Sequence, residues 1–140
     1  MTRKDLINVF VDVYEDLKPL KIAKNVVVNF NIPKDEQDFI FGYCINDMII
    51  DEVKGEHIYN EDDVYGSEIS LNPRLTKFPM ETIINTIAHE LVHTIKGCDD
   101  HNKKFKTMGK KAKAILNLQA DIDYSGTVSE SELLLKYGRN

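Results

Sequence analysis

The residues with the clearest chemistry lie in the segment TIINTIAHELVHTIKGCDDHNKKF, which holds three of the four histidines of the chain. His89 and His93 are four residues apart, so on a helix their rings project to the same side. Glu90 lies about 100° round such a helix from His89, near enough to reach a water on the same metal ion. Two nitrogen donors at this spacing are typical of zinc sites, and a catalytic zinc needs a third protein ligand and an open position.

A third ligand is predicted at the start of the next apolar row. This row follows helical spacing and consists of His101, Phe105, Met108 and Ala112. Because a turn at Gly97 would fold the second helix back along the first, an inward-facing row brings His101 level with the histidine pair. Asp99 and Asp100 stay open as substitute ligands, although helix capping accounts for them. The fourth histidine, His57, falls in a predicted strand or loop and is expected at the surface.

Three histidines and a glutamate in this pattern predict hydrolytic chemistry. In our hypothesis His89, His93 and His101 hold one catalytic Zn²⁺, a metal that lowers the pKa of a bound water towards neutrality. Glu90 takes a proton from that water as general base and later returns it to the leaving amine. The residue that stabilises the oxyanion stays open among four unranked tyrosines: Tyr43, Tyr59, Tyr65 and Tyr124.

A second group of potential metal ligands follows in DIDYSGTVSESE. Its spacing fits a calcium loop with Gly126 at the sharp turn. The predicted calcium ligands are Asp121, Asp123, Ser125, Thr127, Ser129 and Glu132. Helix capping is the competing explanation, because Ser129 followed three residues later by Glu132 forms a capping-box pattern before LLLKY.

The elements that must position these residues begin with an N-terminal helix. LINVFVDVYEDL has amphipathic helical spacing, and Pro19 ends it. NVVVNFNIP and FIFGYCI are rich in β-branched and aromatic residues and predict strands, with MIIDEV and EHIYN as weaker candidates. SEISLNP alternates polar and apolar residues before a proline. It is predicted as a short strand at a sheet edge, where a substrate backbone could pair with it.

The period becomes helical from Pro79 onward. A broad apolar stripe predicts one helix from Pro79 to Gly97, and Asp99 or Asp100 is predicted to cap the next helix, which carries the third ligand. The order of elements predicts an α+β fold with an N-terminal helix, a small antiparallel sheet of three or four strands and the two helices of the site.

Composition is that of an ordinary globular protein, with 42% hydrophobic and 29% charged residues. We expect one domain over 1–140, with a core at about 5–120 and a C-terminal loop and short helix at 121–140. A net charge of −5 argues against bulk attraction to a phosphate backbone, so the lysine-rich HNKKFKTMGKKAK is interpreted as a solvated helix face. The sequence shows neither a membrane span nor a signal-peptide pattern. We therefore expect a cytoplasmic protein with Cys44 and Cys98 as free thiols.

The segment TIINTIAHELVHTIKGCDDHNKKFK resembles the SprT-like zinc metallopeptidases, in which a strand, an H-E-x-x-H helix and a third histidine on the following helix recur. ISLNPRL resembles their strand and turn before the active-site helix, FGYC a Gly-Tyr-Cys segment on an earlier strand, and GCDDH a Gly-Cys-x-x-His form. The likeness extends from about Val26 to about Leu118. It departs at Asn102, where relatives often have glycine, and the sequence shows neither the paired cysteines of a zinc ribbon nor added DNA-binding segments.

This resemblance implies a minimal zincin-like fold and a zinc-dependent endopeptidase that cleaves proteins or peptides, with DNA-associated proteins as one substrate class. Two alternatives stay open at this point. One is a non-catalytic zinc-stabilised module that binds protein or DNA, and the other is a calcium-regulated binding domain on a peptidase scaffold. Glu90 favours the enzyme, because a structural zinc site has no use for a base.

Overall fold

A computed structural model describes residues 1–59 and 63–122 of the chain. In this part of the chain, helices pack on a four-stranded sheet. The elements are α1 (Arg3–Leu17), β1 (Asn25–Asn29), β2 (Gly42–Ile49), β3 (Glu56–Tyr59), β4 (Tyr65–Leu71), α2 (Met80–Val92) and α3 (Lys103–Leu116). The predicted α+β class is confirmed. Among the described residues, no helix has the length and apolar character needed to cross a membrane.

The N-terminal helix begins at a capping box. The hydroxyl of Thr2 accepts a hydrogen bond from the backbone N–H of Asp5 at 3.1 Å, and the Asp5 carboxylate accepts one from the N–H of Thr2 at 2.8 Å. The helix ends at Leu17, just before Pro19, as predicted. Its buried face joins the main core and consists of Leu6, Phe10, Val13, Tyr14 and Leu17.

The sheet is mixed, with the strand order β2-β4-β1-β3. β1 pairs with β3 antiparallel and with β4 parallel, and β2 pairs with β4 antiparallel. The parallel pair departs from the antiparallel sheet expected from the sequence. It arises because β3 ends and β4 begins beside the same end of β1, where Tyr59 lies opposite Asn25 and Ser67 lies opposite Val26. A strand that starts there can only run in the direction of β1.

The strand SEISLN lies inside the sheet, so the prediction of an edge strand is wrong. β4 is flanked by β1 and β2, and most of its residues are buried. The proline that suggested an edge, Pro73, follows the strand and begins a 3-10 turn capped by the side chain of Asn72. The edge strand on this side of the sheet is β2.

The segments FGYCI and MI belong to one strand rather than two. β2 is continuous from Gly42 to Ile49 but has an irregularity in its pairing with β4 between Ile45 and Met48. Asp47 has a φ of 59° there, a left-handed conformation that Asp adopts more readily than most residues. The rest of the second run forms a 3-10 turn over Ile50–Glu52.

The main core lies between the helices and one face of the sheet. Val26 and Val28 of β1 face this core, while Val27 points to the opposite face and packs with Ile50 and Val53. β1 is thus buried on both faces, which accounts for its unbroken run of valines. The same packing fixes α2 against α1, α3 and β2.

Candidate metal centre

The H-E-x-x-H segment forms the last turn of α2. His93 is the C-cap residue and retains helical backbone angles, with φ −60° and ψ −20°. The rings of His89 and His93 therefore lie on one side of the helix, and their Nε2 atoms are 3.3 Å apart. Both side chains are buried.

The helix ends at Val92, so its predicted continuation to Gly97 is wrong. From Thr94 the backbone changes to i→i−3 hydrogen bonds, with the N–H of Thr94 donating to Leu91 and that of Ile95 to Val92. The Thr94 hydroxyl also donates to the Leu91 carbonyl at 2.6 Å. Gly97, with a φ of 85°, then supplies a left-handed conformation within the turn.

His101 lies in this turn just before α3, not on the helix. Its Nε2 atom is 3.1 Å from Nε2 of His89 and 3.1 Å from Nε2 of His93. The structure therefore brings the three histidines predicted as ligands together, from two elements of the chain. His101 is exposed, which leaves the group accessible from one side.

The turn is fixed by Asn102, the residue that follows His101. Its side-chain oxygen accepts a hydrogen bond from the N–H of Phe105 at 2.9 Å, which makes Asn102 the N-cap of α3. The prediction that Asp99 or Asp100 caps this helix is wrong. The cap holds the residue immediately before it, His101, close to the body of the protein.

Both buried histidines are oriented by backbone carbonyls. Nδ1 of His89 is 2.6 Å from the carbonyl oxygen of Ile122, and Nδ1 of His93 is 2.9 Å from that of Cys98. Because a carbonyl can only accept, each Nδ1 carries a proton, and in the neutral ring Nε2 then presents a lone pair. Metal-binding histidines commonly have such a partner on their second nitrogen. Burial lowers the pKa of His93 below its ordinary value, although the hydrogen bond to the Cys98 carbonyl acts in the opposite direction. A lowered pKa favours the neutral ring, the form that binds metals.

The spacing of the three nitrogens fits a metal ion. Their Nε2 atoms form a triangle with sides of 3.1–3.3 Å. In a tetrahedral zinc site with Zn–N bonds of 2.0–2.1 Å, neighbouring nitrogens are about 3.3 Å apart. Since the two buried rings already direct lone pairs at each other, a cation among the three nitrogens relieves their mutual repulsion. The donor set therefore fits one metal ion.

Phe105 lies beneath the three imidazoles. Its ring centroid is 5.0 Å from that of His89, 4.5 Å from that of His93 and 4.9 Å from that of His101. Phe105 is fully buried in the main core. The positions of the three imidazole rings therefore depend on how α3 packs in this core.

Glu90 lies at the same cleft and is 4% exposed. Gly42 of β2 lies beside it: a Cβ atom there would be 3.5 Å from Cγ of Glu90 and only 2.8 Å from the carbonyl oxygen of Ser70. The first distance is an ordinary contact, whereas the second shows that glycine allows β2 to approach the backbone of β4 this closely. The sequence pattern FGYC contained this residue but gave no reason for it.

The cleft has a volume of about 310 Å³. Its lining residues are Gly42, Tyr43, Cys44, His89, Glu90, His93, Asp99 and His101. One wall is edge strand β2, and the others are the end of α2 and the turn that follows it. A larger cavity of about 730 Å³ lies at the start of α1 and contains no histidine, so its size does not make it the site of this chemistry.

Asn46 joins the walls of the cleft, and sequence reasoning missed it. Its amide donates to the carbonyl of His93 at 2.9 Å and to the carboxylate of Asp99 at 2.7 Å. Its side-chain oxygen accepts a hydrogen bond from the hydroxyl of Ser67 at 2.7 Å. The residue therefore connects β2 and β4 to the end of α2 and the following turn. An asparagine in a strand gives no signal of these contacts.

The tyrosines predicted as oxyanion donors occupy different places. Tyr43 lines the cleft. Tyr65 is 59% exposed and lines another cavity. The side chain of Tyr59 and all of Tyr124 lie outside the described part of the structure.

Neither cysteine forms a disulfide, as predicted. Cys98 is buried in the core, and Cys44 is half-buried at the cleft. Burial, reinforced by the charges of Glu90 and Asp99, raises the pKa of the Cys44 thiol above its ordinary value. A protonated thiol is a poor metal ligand. His57 is exposed, with Nε2 2.9 Å from the carbonyl oxygen of Val53.

The predicted calcium loop falls almost entirely outside the described residues. Its first member, Asp121, forms an ion pair with Lys113 at 2.8 Å, and the hydrogen bond from Lys113 lowers the pKa of this carboxyl. The remaining predicted ligands lie beyond residue 122: Asp123, Ser125, Thr127, Ser129 and Glu132. The calcium site therefore stays a prediction.

The fold and the triangle of imidazoles define an α+β protein with a candidate metal centre on an H-E-x-x-H helix. The profile of the SprT-like family matches residues 38–124, a range that includes β2, α2, α3 and the three histidines. This match covers more than half of the 140 residues, and the chain belongs to the SprT-like family. Comparisons with curated proteins and with solved structures found no match.

Proposed function

We propose that this protein is a zinc-dependent metalloendopeptidase. The observation that carries the proposal is the convergence of three imidazole nitrogens beside the carboxylate of Glu90 in one accessible cleft. Membership of the SprT-like family supports it. Zinc is the metal we propose because three imidazoles with one accessible side match the ligand set of catalytic zinc sites. When bound, Zn²⁺ polarises a carbonyl and increases the acidity of a water molecule.

Glu90 is the proposed general base and acid. Its carboxylate takes a proton from the attacking water at one oxygen and later gives this proton to the leaving amine. Two features of the chain support the role. Glu90 follows the proposed ligand His89 directly on a rigid helix, and it lines the same cleft as Gly42 of edge strand β2. Tyr43 lines the cleft. It is the proposed hydrogen-bond donor to the substrate carbonyl oxygen, which becomes negatively charged during hydrolysis.

The proposed substrate is an extended protein or peptide segment that pairs with β2. Among the described strands, none pairs with the outer edge of β2, and Gly42, Tyr43 and Cys44 of this strand line the cleft. A segment added at this edge would pass alongside Glu90 and the imidazoles. Main-chain hydrogen bonds provide affinity with little dependence on sequence, which suits a peptidase acting on unfolded segments.

The test is Glu90→Gln, compared with Glu52→Gln in an exposed turn as a matched control. Loss of a general base reduces the rate by about 10²–10⁴-fold. We expect both variants to bind about one zinc per chain, whereas hydrolysis of an unfolded protein falls by this factor only in Glu90→Gln. Unchanged turnover in Glu90→Gln overturns the role of Glu90. A zinc-loaded natural protein that cleaves no unfolded substrate supports the non-catalytic module instead.

DNA-associated proteins are the substrate subclass we propose. Exposed lysines on α3 support a nucleic-acid contact despite the net negative charge: Lys103, Lys104, Lys106, Lys110 and Lys111. We expect DNA to accelerate cleavage of a DNA-bound protein and the acceleration to disappear at high salt. Equal rates with and without DNA would remove this subclass while leaving the peptidase proposal intact.

A further inference from the structure

The chain returns to the metal-site helix after α3 ends. Asn117 adopts a left-handed conformation at the end of α3, with a φ of 54°. Residues 119–122, which we call the return segment, then run beside α2 in the same direction as that helix. The contacts along this segment are polar and regularly spaced.

Two side chains of α2 bind the backbone of the return segment. The carboxylate of Glu81 accepts hydrogen bonds from the N–H groups of Gln119 and Ala120. One turn further along, the Asn85 amide donates to the carbonyls of Ala120 and Asp121 at 3.3 and 3.2 Å. Glu81 therefore binds N–H groups of the return segment, and Asn85 binds its carbonyl groups.

His89 is the next member of the same row, one further turn along α2. Glu81, Asn85 and His89 lie four residues apart and so share one face of the helix. Nδ1 of His89 donates to the carbonyl of Ile122, the last residue of the return segment. The side chain of Ile122 is buried in the main core beside Gly109 of α3. This carbonyl is thus held by core packing and by the polar row before it.

Asn85 is an unfavourable residue for this buried position unless the hydrogen bonds from its side-chain amide are needed. It is 4% exposed, and among the described residues its side-chain oxygen has no hydrogen-bond partner. A buried acceptor without a partner carries a desolvation cost that leucine of similar size would avoid. The two bonds from its amide to the return segment are what offset this cost.

We infer that Glu81 and Asn85 are positioning residues for the metal centre. They hold the return segment so that the Ile122 carbonyl keeps the proton of His89 on Nδ1 and directs its Nε2 lone pair at the other two histidines. The inference rests on the metal-binding part of the proposed function. If the inference holds, metal affinity depends on contacts that begin at Glu81, two helical turns from His89. These contacts include the return segment after α3.

The first measurement is zinc affinity, by competition with a coloured chelator, for the full chain and its variants. Losing a partner of a metal-binding histidine typically weakens binding by 10–100-fold. We expect a loss of about tenfold or more in Glu81→Ala and in Asn85→Leu. Glu81→Gln keeps an acceptor oxygen and should bind zinc nearly as well as the natural protein. Lys113→Ala is the matched control, because it removes only the exposed ion pair with Asp121 on the same segment.

The second measurement is the tautomer of His89 in the metal-free protein, by two-bond ¹H–¹⁵N correlation of the imidazoles. The natural protein should show the proton on Nδ1, and Glu81→Ala a mixture of the two tautomers. A general loss of stability would not change the tautomer of the folded protein, so this readout separates positioning from structural support. Glu81 is half-buried at the helix start, which keeps the test available if Asn85→Leu does not fold.

The inference is overturned if, in both Glu81→Ala and Asn85→Leu, the tautomer of His89 is unchanged and the zinc affinity stays within about twofold of that of the natural protein. The proposed function would stand in that case. If the natural protein binds no zinc, the proposed function fails. The tautomer comparison then still decides whether the row orients His89.

Discussion

The candidate metal centre has two unlike halves. His89 and His93 are buried, and a backbone carbonyl fixes the proton of each ring on Nδ1. His101 is exposed and is placed by a turn that Gly97 and Asn102 shape. Two of the candidate donors are thus held in position by the core, while the third lies on the solvent side.

This difference shows how a small protein can be both rigid and accessible at one site. The buried half lowers the entropy lost on binding a metal, because its rings are already oriented. Under the proposed function, the exposed half leaves an approach for substrate that a fully buried group of ligands would lack. Substitutions that act on one half, or on both, can separate these contributions.

The largest expected effect is that of Phe105→Ala, which breaks both halves because this ring contacts all three imidazoles. Removing a fully buried phenylalanine costs about 3–5 kcal/mol in the free energy of unfolding. Denaturant unfolding of the metal-free protein measures it. Phe39→Ala is the control, since Phe39 is 63% exposed and its loss should change stability by less than about 0.5 kcal/mol. Equal stability of the two variants would contradict the role of Phe105.

Replacing one histidine from each half separates the halves directly. His89→Ala leaves the buried carbonyl of Ile122 without its donor, which should cost the metal-free protein about 1–3 kcal/mol in unfolding free energy. His101→Ala removes an exposed ring and should change this quantity by less than about 0.5 kcal/mol. Both should reduce zinc affinity strongly, as measured by chelator competition. A His101→Ala protein as destabilised as His89→Ala would show that the exposed half is also needed for folding.

A pair of glycine substitutions tests the wall of the cleft. Gly42→Ala places a methyl group 2.8 Å from the Ser70 carbonyl and should destabilise the protein by about 1–3 kcal/mol. In Gly109→Ala the new atom is 3.7 Å from the Cβ of Ile122, an ordinary contact, and better helix propensity should stabilise the protein by about 0.5–1 kcal/mol. Thermal unfolding of the two variants measures whether each substitution raises or lowers stability. Destabilisation by Gly109→Ala would mean that the return segment packs more tightly on α3 than these distances indicate.

The smallest effect is expected at the cap of the exposed half. Asn102→Ala removes the side-chain acceptor for the N–H of Phe105 and should cost about 1 kcal/mol, whereas Asn102→Gly should cost only a few tenths. Differential scanning calorimetry of the metal-free variants compares them. An alanine variant as stable as the natural protein would show that the side-chain bond contributes little to the turn.

Local features of the site could be predicted from the sequence, because their spacing carries the information. His89 and His93 share a face of one helix whatever the rest of the fold does. The apolar row after His101 predicted that it lies level with this pair, and it does, but it is exposed in the turn before α3 and not on an inward helix face. The carbonyls of Cys98 and Ile122 could not be predicted. Every residue has the same backbone carbonyl, so nothing in the side-chain pattern distinguishes the two that orient these rings.

The place of β4 in the sheet was missed for a related reason. Its alternating polar residues suggested a face in contact with water, but the hydroxyls of Ser67 and Ser70 donate to Asn46 and Asn29 at 2.7 Å each. Buried polar side chains with partners on neighbouring strands produce the same alternation as solvent exposure. The parallel pairing with β1 also depends on the path of the chain between β3 and β4, which residue types do not specify.

The strand order has a consequence for how this sheet forms. β1 and β2 are consecutive in the chain but do not pair with each other. β4, the last of the described strands to be synthesised, lies between them and pairs with both. The sheet cannot grow by adding each strand to the one made before it, and a chain ending before Tyr65 leaves β1 and β2 without their shared neighbour. Joining these strands requires closing long loops, which slows folding. We therefore expect the wall of β2 beside Glu90 to reach its final position only after residues 65–71 have joined the sheet.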